Sequence, residues 1–436
     1  MKQKIVWALI HMGLFSGLLC ILWMGLSLSC RIPNKLLYEN MERSAQYYGQ
    51  WDAFHFHNGE VWNAISDNYA DSILLNLSWH IGTGDSPFTD CIRTNYYDGE
   101  DLGLNSGFLL SVTENASANQ DYTRYWHGGA LFVRLLHLVT DVAGMKWIGF
   151  AGILLLAALT VLLLWKLGHP DLGGLLLASL ALVQVWNLRL SLEYQTAFLI
   201  TFLLCPMYLL LERRSDRYLT LLSTAGGVLI AFFDFLTTET LTILLPLILV
   251  TAVRAKEGRL PKLKQSLLLY LFCGICWGCA YVGTFLAKWT AASLVTGENA
   301  FMLALSSVAE RVGVTEALGS EGYTGFFSPL TANFTMLFGG TARVQPVRVL
   351  VGLLLLLGIP GSVWYLFPAK KGNGTAAILL LGLGSLVLLR YLVLNNHSYL
   401  HEFFTYRALS ASVLALLCTL RLNIALPKRR KGGRRK

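Results

Sequence analysis

Charge is what this chain of 436 residues lacks: 14% are Asp, Glu, Lys or Arg, against 54% hydrophobic. So little charge cannot clothe a soluble globule of this length, and so apolar a chain is not disordered. No glycine-rich nucleotide loop, internal repeat or low-complexity linker is present, nor the inverted-repeat symmetry of many transporters. Cysteine is sparse, at eight residues. Cys20, Cys205 and Cys418 sit in apolar runs as packing residues. The CGICWGC run at Cys273, Cys276 and Cys279 has ligand-like spacing but no charged neighbours, which argues against zinc. Cys30 and Cys91 fall on the same expected side of the membrane, the outer one, where a bridge could form.

What is present is a series of apolar stretches, each of about 20 residues, the length needed to cross a hydrocarbon core of about 30 Å. The expected spans are 5–29, 142–165, 171–187, 194–211, 218–236, 240–253, 266–287, 346–367, 374–394 and 408–426. This predicts an all-α polytopic membrane protein of about ten transmembrane helices with a large first extracytoplasmic loop. The first run exceeds the apolar core of a signal peptide and lacks an A-x-A-like site, so it is read as a retained span.

The net charge of +9 is distributed by position. KLGHPD, ERRSDR, RAKEGRLPKLK, PAKKGNG, the MKQK start and the terminal tail together hold 20 of the 35 Lys and Arg residues. By the positive-inside rule these connections face the cytoplasm, with both termini, in a bacterial plasma membrane. Partners are then membrane lipids rather than nucleic acid. The organisation expected is a first span at 1–30, an outer loop with interfacial helices at 31–141, a bundle at 142–290, a second outer loop at 291–345, a further bundle at 346–426 and a basic tail at 427–436. Of 26 acidic residues 13 lie between Cys30 and Arg124, so chemistry is sought in that loop.

Asp67 and Asp71 are four apart, on one face if the segment is helical. Either could take a proton from an acceptor hydroxyl or hold a divalent cation on a diphosphate, and either could equally serve as a solvated helix start. Asp52 and Glu39 are weaker candidates. Arg124, Tyr125, Trp126 and His127 open RYWHGGALFVRLLHLVTD, read as an interfacial helix; an Arg fork suits phosphate and aromatic rings suit headgroups and sugars, as they also suit an ordinary aromatic belt. Asp234 and Glu239 fall near the outer face in FFDFLTTET, and Arg189 with Glu193 is read as a structural ion pair. In NNHSYLHEFFTYR, His397 and His401 share metal-ligand spacing, and Glu402 and Arg407 add charge.

The order of these parts resembles that of GT-C type glycosyltransferases, polytopic enzymes that use polyprenyl-phosphate-linked sugars. DNYADSILL, TRYWHGGALFVRLL, FFDFLTTETLTILLPL and NHSYLHEFFTYR also resemble segments of uncharacterised multi-pass proteins of Gram-positive bacteria. The resemblance implies an outer-loop carboxylate as base, here Glu39, Asp67 or Asp71, with cationic groups holding the phosphate of a lipid-linked sugar donor. The early acidic pair usual in that class is replaced by YENMERSAQYY, which leaves the choice among the three open. A transporter or flippase, with Asp234, Glu239 and Arg390 along its path, is the competing class, and a noncatalytic envelope-assembly protein is a third.

Overall fold

The computed structural model describes residues 2–57, 61–82, 86–313, 315–318, 320, 323–338 and 374–423. Helix α1 (Lys2–Ser29) leads into a compact segment holding α2 (Asn34–Gly49), β1 (Phe54–Phe56), β2 (Ile65–Asp67), α3 (Asn68–His80), α4 (Pro87–Asp90), β3 (Asn95–Tyr96), α5 (Leu104–Thr113) and β4 (Gln120–Asp121). β1 pairs antiparallel with β2, setting Phe54 opposite Asp67, and β3 pairs antiparallel with β4. Helix α3 starts where the Asp67 carboxylate accepts the Ala70 N–H at 2.8 Å. It is buried on nearly all sides because α2, α5 and the short α6 (Gly129–Leu136) enclose it.

The remainder is long helices: α7 (Val142–Lys166), α8 (Pro170–Leu182), α9 (Glu193–Leu211), α10 (Asp216–Phe233), α11 (Leu241–Lys256) and α12 (Leu263–Thr296), then α13 (Ala300–Val312), α14 (Thr315–Leu318) and α15 (Ser328–Met336). Gly374–Val393 and Glu402–Asn423 complete the described bundle. Among the described residues six helices are long and apolar enough to cross a membrane: α1, α7, α9, α12 and these last two. The other expected crossings fall on α8, with 13 residues, α11, with 16, and α10, with 18. The one at 346–367 lies outside the described residues. α11 is the bundle's centre, buried along almost its whole length, while α7 and α12 expose broad apolar faces. α10 lies close on α12, and a Cβ at Gly227 would collide with the Trp277 carbonyl, so only glycine permits that approach.

One cation locks the 31–123 segment to the bundle. The guanidinium of Arg134, on α6, is fully buried and donates to the carbonyls of Ser29 at 2.9 Å and Ser78 at 2.7 Å, with further bonds to Asn34 Oδ1 and the Ile32 carbonyl. Ser29 closes α1 and Ser78 lies in the last turn of α3, so the guanidinium gathers carbonyls from two helix ends. The expected interfacial helix is thus shorter than the sequence pattern, and its arginine is turned inward. Phe132 and Leu135 remain exposed on the opposite face.

Candidate functional site

A cavity of about 330 Å³ opens where α3, the β4–α6 connection, α13 and the His397–Phe404 segment meet. Asp67, Glu193, Glu310, Arg124, Arg311, His397 and His401 face it, among the rings of Tyr69, Tyr96, Tyr122, Tyr125 and Phe404. Each ionisable group arrives from a different local signal. Asp67 is the N-cap of α3, Glu193 opens α9, and Arg311 ends the polar face of amphipathic α13.

The carboxyls of Asp67 and Glu193 are hydrogen-bonded to each other, and both residues are buried. Burial pushes the Asp67 carboxyl up to about 7, against the lowering effect of the Ala70 N–H, and the negative Asp71 adds to the rise. One Glu193 oxygen, Oε2, has no hydrogen-bond partner in the protein. Two buried carboxyls in contact hold one proton between them more readily than two charges.

Across the cavity stand two guanidiniums. Arg124 donates to Ser307 Oγ at 3.2 Å and lies 4.3 Å above the Tyr122 ring, leaving its Nε free. Arg311 donates to the Ser307 carbonyl at 3.1 Å and lies 5.8 Å from the Tyr125 ring. Burial pushes His397 well below its ordinary pKa and His401 down to about 4, the nearby arginines adding to both shifts. Both imidazoles are therefore neutral near pH 7. They offer hydrogen bonds, not charge, so the positive charge facing the cavity is that of Arg124 and Arg311. His397 Nε2 is bonded to the Leu236 carbonyl at 2.9 Å.

Arg124, Tyr125 and Arg311 also line a second, apolar cavity of about 230 Å³, whose walls include Leu236, Tyr281, Phe285 and Trp289. Leu236 reaches it from a left-handed backbone, φ +70°, held by bonds from Arg390 and His397 to its carbonyl. The two arginines therefore stand at the junction of a polar and an apolar chamber.

The other residues singled out from sequence lie elsewhere. Asp71 accepts bonds from Tyr48 Oη at 2.8 Å and from the backbone N–H groups of Leu192 and Glu193, and pairs with Lys146 at 3.3 Å. It ties α3 and α7 to the start of α9 and does not line the cavity. Glu39 is on the surface, paired with Arg43 one turn on. Trp126 is core, stacked on Phe232 and donating to the Thr284 carbonyl, and His127 is packed behind Tyr122 with its Nε2 on the Tyr122 carbonyl. Asp234 caps its own turn at Thr237, and Glu239 holds Arg390 by a two-pronged pair at 2.8 and 2.9 Å. Glu402 is buried at the start of its short helix. Arg407 donates to the Phe403 and Asn63 carbonyls and stacks 4.5 Å from the Tyr194 ring. His397 and His401 do not share one continuous helix, because the chain breaks at His401, φ −114°. No group of three or more His, Cys, Asp or Glu placed for a metal occurs among the described residues.

Three charged cavity residues, Glu193, Glu310 and Arg311, escaped the sequence reading. Glu193 was paired with Arg189 on spacing, yet Arg189 lies over Trp147 at 5.7 Å while Glu193 turns inward to Asp67. Arg311 carried a signal, since it stands four residues after Ser307 on the one polar stripe of an apolar helix. Comparison with family models, with curated proteins and with solved structures finds no match for this chain.

Proposed function

We propose that this chain is a membrane glycosyltransferase-like enzyme, moving a sugar from a polyprenyl-phosphate donor to an extracytoplasmic envelope acceptor. The observation that carries this reading is the shared wall of the two chambers. A lipid-linked sugar phosphate has an apolar tail, an anionic joint and a polar ring. The apolar cavity suits the first, Arg124 and Arg311 the second, and the tyrosine-rich polar cavity with Asp67 the third.

The chemistry is a single displacement. An acceptor hydroxyl oxygen attacks the anomeric carbon, its proton passes to the Asp67 carboxylate, and the bond from that carbon to the phosphate oxygen breaks, the electron pair leaving with the lipid phosphate. Arg124 and Arg311 offset the charge gathering on the leaving oxygen, and the neutral imidazoles of His397 and His401 supply hydrogen bonds to the sugar.

Transport is less well supported by the polar arrangement. At the opposite ends of α9, α10 and α11, Glu212, Arg254, Asp216 and Arg259 form a closely bonded ionic layer. A solute path would have to break it. The test is a deletion strain complemented with wild type or Asp67→Asn, scored for membrane abundance, lipid-linked sugars and surface glycans. Asp67→Asn should insert normally, accumulate the donor and lose one surface sugar. Unchanged glycans with the variant would remove Asp67 from the reaction, and a deletion strain with neither change would remove the transferase reading.

A further inference from the structure

We propose that Cys30 and Cys91 are a site of oxidative cross-linking, converted to a disulfide by a disulfide-bearing oxidant outside the membrane. The inference rests on the outward placement of residues 31–123, drawn from the charge pattern, and not on the transferase reading. Cys30 lies immediately beyond α1, and Trp23, Ser27 and Cys30 fall at four- and three-residue steps along one face. Cys91, just after α4, is seated on that face. Trp23 Nε1 donates to its Sγ at 3.1 Å and Ser27 Oγ lies 3.2 Å from it, which seats Cys91 beside the turn that carries Cys30, whose own Sγ donates to the Leu26 carbonyl at 3.3 Å. The approach is built into the backbone. Gly82, at φ +88°, passes so close to the Cys30 carbonyl that no Cβ would fit, which lets the chain after α3 bring Cys91 to the end of α1.

Cys30, Cys91, Cys205 and Cys418 all lie in one buried apolar cluster, so burial does not distinguish them. Cys91 is met by polar donors on two sides. Once docked, the Cys91 thiol is held down at about 7 by Cys30, Ser27 and Trp23 against the opposing effect of burial. Before docking it is an ordinary accessible thiol, and its thiolate form is the attacker. Its thiolate attacks one sulfur of the oxidant's disulfide, releasing the other as a thiolate and leaving a mixed disulfide on Cys91. Cys30 then gives up its proton and attacks the Cys91 sulfur, so the Cys30–Cys91 bond forms and the oxidant departs as a dithiol. Two electrons and two protons pass from the cysteines to the oxidant. Both thiols are buried in the folded chain, so the exchange belongs to the stage before Cys91 docks on α1.

The test uses the full chain expressed in a bacterial envelope. Cells are quenched in acid, denatured and blocked with N-ethylmaleimide, then reduced and labelled with its isotopically heavy form for peptide mass spectrometry. The expected result is heavy label on Cys30 and Cys91, light label on the other six cysteines, and, in a portion left unreduced, a linked Cys30–Cys91 peptide two hydrogens lighter than the sum of its thiol forms. Cys30→Ser should move Cys91 to the light label. Light label on both cysteines in the wild type, or a cross-link from Cys91 to any other cysteine, overturns the proposal.

Discussion

Four positions separate Asp67 from Asp71, and their partners decide which can accept a proton. Asp71 already receives Tyr48 Oη, two backbone N–H groups and the Lys146 ammonium, so its lone pairs are committed. Asp67 receives one N–H and shares a proton with Glu193 beside open volume. Its carboxyl, raised from 3.8 to about 7, has to be ionised to act as base, so transfer should rise with pH through about 7. Loss of a general base of this kind costs roughly a hundredfold or more, the deficit to expect of Asp67→Asn in a membrane transfer assay. The same shift has a stability sign. The folded chain binds more protons than the unfolded one between about 4 and about 7, so Asp67 lowers stability as pH climbs through that window. The thermal midpoint of Asp67→Asn should therefore gain on wild type from pH 5 to pH 8, and a constant gap between the two would contradict the buried, shared proton. Asp67 and Asp71 were indistinguishable in sequence because helical spacing reports direction along one element. The partners that separate them come from α2, α7 and α9, more than twenty residues away in every case.

At the scale of elements, the site depends on how α9 begins. Asp71 accepts the N–H groups of Leu192 and Glu193 at 3.1 and 3.2 Å, which fixes the carboxyl of Glu193 toward Asp67. Removing one member of a buried ion pair costs roughly 3–5 kcal/mol when the other is left uncompensated. Lys146 has only the carboxylate and the Tyr47 and Tyr48 rings, whereas Asp71 keeps three hydrogen bonds without Lys146. Asp71→Ala should then lower the thermal midpoint in detergent far more than Lys146→Met, and equal losses would mean that the pair, not the backbone anchoring, carries the stability. The long helices α1, α7, α9 and α12 were legible because an apolar run near 20 residues has few other fates. α8 and α11 were read as spans on apolarity alone, although α11 is short because it is enclosed by other helices rather than by lipid. The compact fold of residues 31–123 was not legible, since it is set by buried asparagine, serine and arginine bonds between distant segments, such as Asn76 to the Tyr97 carbonyl at 2.8 Å.

Over the whole molecule the buried charges gather in two layers joined by α9. Glu193 at one end belongs to the cavity, and Glu212, just past the other, to the ionic cluster with Arg254 and Arg259. Nineteen helical residues rise about 28 Å, close to the thickness of a hydrocarbon core. Between these ends α9 carries no charge, and its Thr201 hydroxyl is bonded to its own helix and its Tyr208 hydroxyl to Ser223. Such a helix separates the cavity layer from the ionic one, an arrangement that fits the one-sided transfer proposed above. If the cavity layer faces outward, single cysteines placed on otherwise unreactive background chains should divide by layer. In intact cells a membrane-impermeant maleimide should label Glu39→Cys, which is exposed beside the cavity segment, and should spare Lys264→Cys and Arg214→Cys, which are exposed near the ionic layer. Labelling of the latter pair alone would invert the molecule, placing Asp67 where no envelope acceptor can reach it.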